Sequence, residues 1–196
     1  MYAGKTVVLK ISGDGLPITS GLSTTDDTIY QITNAAQRVL NPDNLIVQVD
    51  GSAPTEPYVI NYLNGTITFE DADTRDVTVT GEYLPMTAIG SAREASHSEE
   101  CALLDASVFG VAYVKRTQGL KSASGTITEI DITDTTFLDA LREGKPVILE
   151  DRADEAGEPN RWKILLEEIE ESADVTDLQT RTISWSSTDE WIRLGG

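Results

Sequence analysis

The sequence has very little of the chemistry that enzyme active sites, metal sites and disulfide cross-links require. Among 196 residues there is one cysteine, Cys101, and one histidine, His97. A single cysteine forms no internal disulfide, so the fold does not depend on an oxidising compartment. No second histidine or cysteine is present to complete a zinc site, and proximity in a polar segment does not make a nucleophile–base pair. We therefore predict no enzymatic activity, no cofactor and no metal site.

Long apolar runs and basic residues are scarce as well. No hydrophobic stretch approaches the roughly 20 residues that a membrane-spanning helix needs, so no membrane partner is expected. Fifteen Lys and Arg stand against 33 Asp and Glu, which gives a net charge of −18 at pH 7. The acidic excess is shared by both halves of the chain, and it repels nucleic acid and anionic membranes. Solubility is the simplest explanation of such a surface.

The sequence is instead rich in strand patterns. Thr, Ile and Val, with alternation of apolar and polar side chains, are typical of half-buried strands. They predict strands over Lys5–Ile11, Ile29–Ile32, Leu45–Val49, Val77–Tyr83, Gly125–Ile132, Pro146–Glu150, Arg161–Leu166 and Leu178–Ser187.

One short helix is predicted, over residues 135–143. Its apolar face consists of Phe137, Leu138 and Leu141, and its alternative N-caps are Asp134, Thr135 and Thr136. Gly144 can end the helix in a left-handed conformation, and Pro146 prevents its continuation. A helix of this length is marginal alone in water, so we expect it to pack on a sheet. The predicted fold class is mainly β, a β-sandwich or barrel with one short flanking α-helix.

The dipeptide Asn64-Gly65 predicts a tight β-hairpin. Asn-Gly supplies the two positive φ angles of a type I′ turn. A two-residue loop would pair Leu63 with Thr66 and would place four apolar side chains on one face, namely Ile60, Tyr62, Ile67 and Phe69.

Residues 96–118 lack periodicity and are predicted to form a long irregular loop. Loops of this length inside compact domains are usually functional. The apolar side chains of this loop would be exposed on an isolated molecule.

Two acidic segments have both a functional and a plain interpretation. Glu70–Asp76 spaces acids as calcium loops do, but Arg75 occupies a ligand position and no Gly follows, which favours a solvated turn. Residues 167–177 hold six acids and no base. This run indicates either a solvated face or a surface that must not bind anions.

Several segments follow one another along the chain in a recognisable order. They are Tyr30–Ile32, Arg38–Pro42, the hairpin Asn61–Phe69, Val77–Leu84, Asp105-x-x-x-Phe109-Gly110, Gly119–Thr126, the helix with Phe137 and Leu141, the strand with Trp162, and Thr182–Trp185. In texture and order, the chain resembles the tail tube (major tail) proteins of long-tailed bacteriophages over nearly its whole length.

The resemblance implies a structural virion protein that assembles with itself into stacked six-fold rings, forming a hollow tube through which DNA passes. It also implies contacts with tape-measure, tail-terminator and distal-tail proteins, and a place in the phage tail after synthesis in the bacterial host's cytoplasm. Residues 13–85 exceed what a minimal tube subunit needs. We interpret them as a small β-module or insertion, leaving residues 1–12 and 86–196 as the tube-like core.

The same resemblance gives two sets of residues an expected role. The segment 96–118 would contact a neighbouring subunit or ring through Leu103, Leu104, Asp105, Val108, Phe109, Val111 and Tyr113. An acidic lumen, over which DNA slides without binding, would be lined by Glu129, Asp131, Glu167, Glu168, Glu170 and Glu171.

The alternative function is a surface β-sandwich module that recognises carbohydrate or a cell surface. A sugar site needs exposed aromatic platforms with polar partners. Trp162 and Trp185 lie on alternating strands as core residues do, which leaves Trp191 as the unplaced aromatic.

Overall fold

The computed structural model describes residues 8–24, 26–89, 92–106, 113, 115–129, 135–152, 159–172, 180–188 and 192–193. Within them the structure is mainly β with one α-helix, α1 (Thr136–Glu143), so the predicted fold class is confirmed. Two 3-10 turns span Ala35–Gln37 and Pro42–Asn44. The strands are β1 (Val8–Ser12), β2 (Leu16–Pro17), β3 (Leu22–Thr24), β4 (Ile29–Ile32), β5 (Ile46–Val49), β6 (Tyr58–Asn61), β7 (Thr66–Phe69), β8 (Val77–Thr80), β9 (Glu82–Tyr83), β10 (Met86–Ala88), β11 (Ala92–Asp105), β12 (Arg116–Glu129), β13 (Val147–Arg152), β14 (Asn160–Ser172), β15 (Thr180–Ser187) and β16 (Ile192–Arg193).

The chain forms two compact units. The first unit comprises Met1–Ile89, Ile148–Arg161 and Trp191–Gly196, and the second comprises Gly90–Val147 and Trp162–Glu190. These two units differ from the predicted division, which separates residues 13–85 from residues 1–12 and 86–196. The separate status of residues 13–85 therefore stays a prediction.

In the first unit, β1 lies between β10 and β13. Ser12 pairs with Met86 and Ile11 with Thr87 on one side, while Ile11 pairs with Leu149 on the other. The Gly13 N–H donates to the Pro85 carbonyl at 2.9 Å. The chain therefore leaves this sheet after β1 and returns to it at β10 through two adjacent strand ends.

Residues 13–85, which lie between those ends, have a hydrophobic core of their own. Three small antiparallel sheets, β3-β4-β7-β6, β5-β8 and β2-β9, supply it. The buried side chains are Tyr30, Ile32, Leu40, Val47, Ile67, Phe69, Val77 and Val79. All of them come from between β2 and β9, and alternation along the strands turns them inward.

The hairpin of β6 and β7 forms, but its predicted register is wrong. Asn61 pairs with Thr66 and Ile60 with Ile67, so the loop has four residues. The Asn61 side-chain oxygen accepts from the N–H groups of Leu63 and Asn64, both at 3.1 Å. Gly65 alone takes a positive φ, 62°. A side-chain cap on the turn has replaced the type I′ geometry.

The four-residue loop frees Leu63 to attach residues 13–85 to the sheet of β1 and β13. Leu63 is buried with Val39 and Ile148, and Leu84 and Met86 pack against this cluster. The buried guanidinium of Arg161 donates to the Leu63 carbonyl. Such an attachment is stabilised mainly by the burial of apolar surface, which contributes about 25 cal/mol per Å².

The second unit contains an antiparallel sheet in the order β14-β15-β12-β11. Ile164 and Ile183 of this sheet are fully buried, as are Ile127 and Trp162. The strands therefore alternate between a core face and an outward face. A register shift between Leu166 and Glu168 inserts Glu167 as an extra residue in β14.

The prediction that residues 96–118 form an irregular loop is wrong. Most of this segment belongs to a long antiparallel hairpin, because β11 and β12 pair from Ala92↔Glu129 to Asp105↔Arg116. The strands lack apolar alternation because their side chains are exposed on both faces along much of their length. A pattern argument based on one buried face cannot detect such strands.

The predicted helix is found with nearly the predicted bounds. Thr135 is its N-cap without a side-chain cap bond, and Gly144 ends it with φ 62°. The Gly144 and Lys145 N–H groups donate back to Leu141 and Ala140. Phe137 is buried, and Leu138 and Leu141 are half-buried. The apolar face is thus turned from solvent, while the element that it packs on stays a prediction.

Candidate functional site

The outward face of the second unit's sheet is lined by short hydroxyl side chains, and we call it the hydroxyl face. Cross-strand pairing aligns Ser98, Ser124 and Ser186 in one row. The next rows continue the pattern, which gives the full set Ser96, Ser98, Ser124, Thr126, Thr128, Thr182, Ser184 and Ser186. All are exposed or half-buried. The Ser96 and Thr126 hydroxyls lie 2.9 Å apart and bond to each other.

Carboxylates border the hydroxyl face on both sides. On β14, Glu168 pairs with Ser184 and Glu170 pairs with Thr182, and Glu167 accepts a hydrogen bond from the Ser186 hydroxyl. On β11, Glu94 pairs with Thr128 and Glu100 pairs with Ser122. No Lys or Arg occupies the described rows between these acids. The face is mainly polar and negative, although Leu165 of β14, which pairs with Ser186, adds an exposed apolar side chain to it.

The opposite face of the same sheet is the core. Trp185 pairs with Gly125, and Gly125 with His97. The Trp162 ring lies 5.9 Å from that of Trp185 and 4.9 Å from that of His97. A Cβ at Gly125 would lie 2.7 Å from the Trp185 ring, so glycine is needed for the indole to cross β12.

Two of the acids predicted for the lumen lie on this core face instead. Glu129 is 0% exposed, and its carboxylate is 3.6 Å from the Arg181 guanidinium. Glu171 pairs with the same guanidinium at 3.3 Å. Glu129 shares strand parity with Ile127 and Ala123, both buried, and this parity places it inside. The structure therefore removes Glu129 from the candidates for a solvent-lined surface.

The remaining acids divide between the hydroxyl face and the undescribed part of the chain. Glu167, Glu168 and Glu170 are exposed on the hydroxyl face. Asp131 lies outside the described residues. Sequence reasoning predicted the acidic residues but missed the hydroxyls. Their signal, a Ser or Thr at every second position over residues 122–128 of β12 and 180–186 of β15, is present in the sequence.

The hairpin of β11 and β12 extends beyond the sheet as a two-stranded ribbon. β15 pairs with β12 over Ser124–Glu129 only, so residues 116–123 project by roughly 26 Å with β11 as their one partner strand in the described chain. Leu103 (64% exposed) and Leu104 (54%) lie on opposite faces of this ribbon. Leu120 (87% exposed) was not predicted, because it stands alone among polar residues.

Two of the other predicted contact residues, Asp105 and Tyr113, lie in the outer part of this ribbon. Asp105 pairs with Arg116 near its end, and Tyr113 at its tip is 83% exposed. Val108, Phe109 and Val111 lie outside the described residues. A contact between these side chains and another subunit stays a prediction.

A buried carboxylate in the first unit holds three cations. Glu150 contacts Arg152 at 2.6 Å, Arg161 at 2.7 Å and Lys10 at 3.4 Å. Burial raises the pKa of Glu150, but hydrogen bonds from Arg152 and Arg161 outweigh it and bring the pKa below its ordinary value of 4.5. Burial also lowers the pKa of Arg161, against the opposing effect of Glu150. This cluster adjoins the Leu63 attachment through Arg161.

The residues with catalytic or ligand-binding chemistry are not assembled into a site within the described chain. His97 and Cys101 lie four residues apart on one strand, roughly 13 Å, which is too far for a hydrogen bond. No group of three or more His, Cys, Asp or Glu in the described ranges is arranged to hold a metal. Near the calcium-like segment, Arg75 pairs with Glu56 at 3.1 Å.

Neither tryptophan in the described part of the chain provides the exposed aromatic platform that a sugar site needs. Trp162 and Trp185 are both buried in the core. Trp191 lies outside the described residues. None of the described helices is long and apolar enough to cross a bilayer.

Comparisons with known proteins give matches in structure only. No family model and no curated protein sequence matches the chain. A chain from the tail of an empty gene transfer agent (GTA) particle with C6 symmetry is 12% identical over 55% of this chain and 85% of that one, with a TM-score of 0.48. A chain from the virion of a native GTA particle is 12% identical over 54% and 86%, also with a TM-score of 0.48. Both matched chains come from GTA tail or virion particles.

Proposed function

We propose that this chain is a structural subunit of a phage-type tail tube, which assembles with its own copies around a channel for DNA. The hydroxyl face carries the proposal, as the surface that lines the channel. The subunit acts without catalysis, in stacked hexameric rings within the virion tail. Tape-measure, tail-terminator and distal-tail proteins are its further partners.

The chemistry of the hydroxyl face suits the passage of a polyanion. Proteins bind DNA tightly when Lys and Arg neutralise phosphates and release counterions. The hydroxyl face offers none of these cations in its described rows, and Glu168 and Glu170 repel phosphate within a Debye length of about 8–10 Å. Short hydroxyl side chains are hydrated and leave little apolar surface for the bases apart from Leu165 of β14. DNA can therefore move along such a face without a deep binding minimum.

The edge of the same sheet supports self-assembly. β11 is an edge strand of 14 residues, and it contains no proline. A long edge presents N–H and C=O groups that can pair with another chain, and monomeric proteins usually cover or shorten it. The exposed Leu103, Leu104, Leu120 and Tyr113 add apolar surface to the projecting ribbon. Contact with further copies of the chain would cover both.

We assign roles to residues accordingly. Glu167, Glu168 and Glu170 border the lumen, while Glu129 and Glu171 hold Arg181 on the core face. Leu103, Leu104, Asp105 and Tyr113, with Leu120, form the contact with the neighbouring ring. Residues 13–85, which have their own core, form a module on the outside of the tube.

Thiol labelling of assembled protein tests the lumen assignment. Thr126→Cys would be made in a Cys101→Ser background, with Thr78→Cys as the matched control, since Thr78 is exposed on the outer face of β8. Both variants would be labelled before and after assembly with a small maleimide and with a polyethylene-glycol maleimide. Assembly is scored by negative-stain microscopy.

In assembled tubes, Thr126→Cys should react with the small reagent but be protected from the polymer, while Thr78→Cys reacts with both. Equal reaction of both cysteines with the polymer would place the hydroxyl face outside. Protection of Thr126→Cys from both reagents would place it in a protein interface. A protein that stays monomeric at every concentration would refute the tube itself.

A further inference from the structure

Positive charge is concentrated around Glu150, in a chain whose net charge is −18. Lys10, Arg152 and Arg161 all contact this one carboxylate. Arg161 alone would neutralise it, since the Arg161 Nε group donates to one carboxylate oxygen and its Nη1 group donates to the Leu63 carbonyl. The cluster therefore holds two more cations than its acid needs.

The two additional cations lie beside each other where the cluster meets solvent. Lys10 pairs across the strands with Glu150, and Arg152 follows Glu150 by two residues on the same face of β13. Lys10 Nζ at 3.4 Å and Arg152 Nε at 2.6 Å contact the same carboxylate oxygen, so these nitrogens are separated by at most the sum of the two distances, 6.0 Å. The Lys10 and Arg152 side chains are 27% and 22% exposed, whereas that of Glu150 is 1% exposed. Solvent therefore reaches the two cations but hardly reaches the carboxylate.

Both cations keep hydrogen-bond donors that the described residues do not use. The Arg152 guanidinium bonds to Glu150 through Nε, and its two Nη groups have no partner in the described ranges. The Lys10 ammonium has three donors, and Glu150 is its one partner in the same part of the chain. An oxyanion lying across Lys10 and Arg152 would accept these donors and reduce the repulsion between the two charges.

We propose that Lys10 and Arg152 bind a small oxyanion of the phosphate class above the Glu150 carboxylate. Guanidinium and ammonium groups are the side-chain donors that proteins use for phosphate. A small ion suits the site better than DNA, because two half-buried cations offer few phosphate contacts and the net charge of the chain repels a polyanion. Because Arg161 also holds the Leu63 carbonyl, the bound ion would strengthen the attachment of residues 13–85. The inference is independent of the proposed tube function.

Phosphate titration of substitution variants tests the site. Lys10→Gln and Arg152→Gln would be compared with wild type and with Arg142→Gln, which removes one positive charge from an exposed position of α1. Binding of inorganic phosphate is measured at pH 7 by line broadening in phosphorus NMR. The Tm of each protein is measured in phosphate and in sodium chloride of equal ionic strength, and circular dichroism checks that each variant is folded.

Wild type and Arg142→Gln should bind phosphate with a dissociation constant on the order of 1 mM, and binding should raise their Tm. Loss of a hydrogen bond to a charged group should weaken binding at least about tenfold in Lys10→Gln and in Arg152→Gln. Phosphate also stabilises proteins by exclusion from their surface, and the control variant measures this general response. Lys10→Gln keeps the test available if Arg152→Gln does not fold, since the Lys10 contact is the longer and more exposed one.

Removal of the buried carboxylate gives a second measurement with the opposite sign. Glu150→Gln leaves the cations without their acid, so the folded variant should bind phosphate more tightly than wild type. A wild-type protein that binds no phosphate, cluster variants that bind it as the control does, or a folded Glu150→Gln that binds it more weakly would overturn the inference. None of these results bears on the tube, which fails only if the wild-type protein does not assemble.

Discussion

Replacing Glu150 by Gln should strongly destabilise the first unit. The change removes one negative charge from beside Arg161, whose side chain is 5% exposed, and Arg152, whose side chain is 22% exposed. Breaking a buried ion pair from one side costs about 3–5 kcal/mol, because the remaining charge stays buried without its partner. Against a typical unfolding free energy of about 5–15 kcal/mol, this is a large fraction. The expected fall in Tm is roughly 6–20 °C.

Urea unfolding followed by circular dichroism measures the loss, and the helix end supplies a matched control. Glu143 pairs with Lys145 at 2.6 Å, the same separation as Glu150 and Arg152, but both side chains are more than half exposed. Glu143→Gln should cost at most about 1 kcal/mol, since water screens such a pair. The two carboxylates undergo the same substitution and have a cation at the same distance, but Glu150 is buried among three cations whereas Glu143 is exposed beside one lysine.

The pH dependence has a definite sign. The pKa of Glu150 lies below its ordinary 4.5 in the folded protein, so its contribution is present above that value and is lost as pH falls through the folded pKa. The stability difference between wild type and Glu150→Gln should therefore shrink below about pH 4.5. A Glu150→Gln protein as stable as Glu143→Gln at pH 7, or a difference that persists unchanged into acid, would refute this account.

Three further substitutions test packing in each unit. Phe137→Ala should cost about 3–5 kcal/mol in urea unfolding, because a fully buried ring leaves a cavity. Gly125→Ala should cost about 1–3 kcal/mol and alter the near-UV circular dichroism of Trp185, since its Cβ would meet that ring. Gly65→Ala should cost about 1–3 kcal/mol by thermal unfolding, because φ is 62° and the Cβ would lie 2.8 Å from the Arg38 carbonyl.

The elements with local signals could be predicted from the sequence. The helix has an apolar face, a glycine at its end and a proline beyond it, and the structure ends it at Glu143 before Gly144. β4 spans Ile29–Ile32, as its alternation predicts. These features depend on neighbours in the chain, so short-range pattern is sufficient to find them.

The predictions that were wrong concern features set by bonds or packing that the local apolar pattern does not report. The Asn61 side chain caps its own turn, and this bond competes with the type I′ geometry that Asn64-Gly65 favours. The outer half of β11 shows no apolar alternation because no core lies beneath it in one molecule. Glu129 was assigned to the lumen by its charge, whereas the strand parity that it shares with Ile127 decides its face.

The hydroxyl face could not be predicted from the pattern of one strand. Its Ser and Thr residues are spread over three strands, and only the register brings Ser98, Ser124 and Ser186 into one row. A single strand with a hydroxyl at every second position is ordinary. The surface becomes distinctive when the rows are assembled.

The pairing of Ser12 with Met86 has an evolutionary and practical consequence. Because the polypeptide departs and re-enters at neighbouring points, the intervening 73 residues could be gained, lost or exchanged by recombination without shifting any hydrogen bond of β1 with β13. A short turn joining those two positions would close the gap. The same place would accept a foreign domain in exchange for residues 13–85.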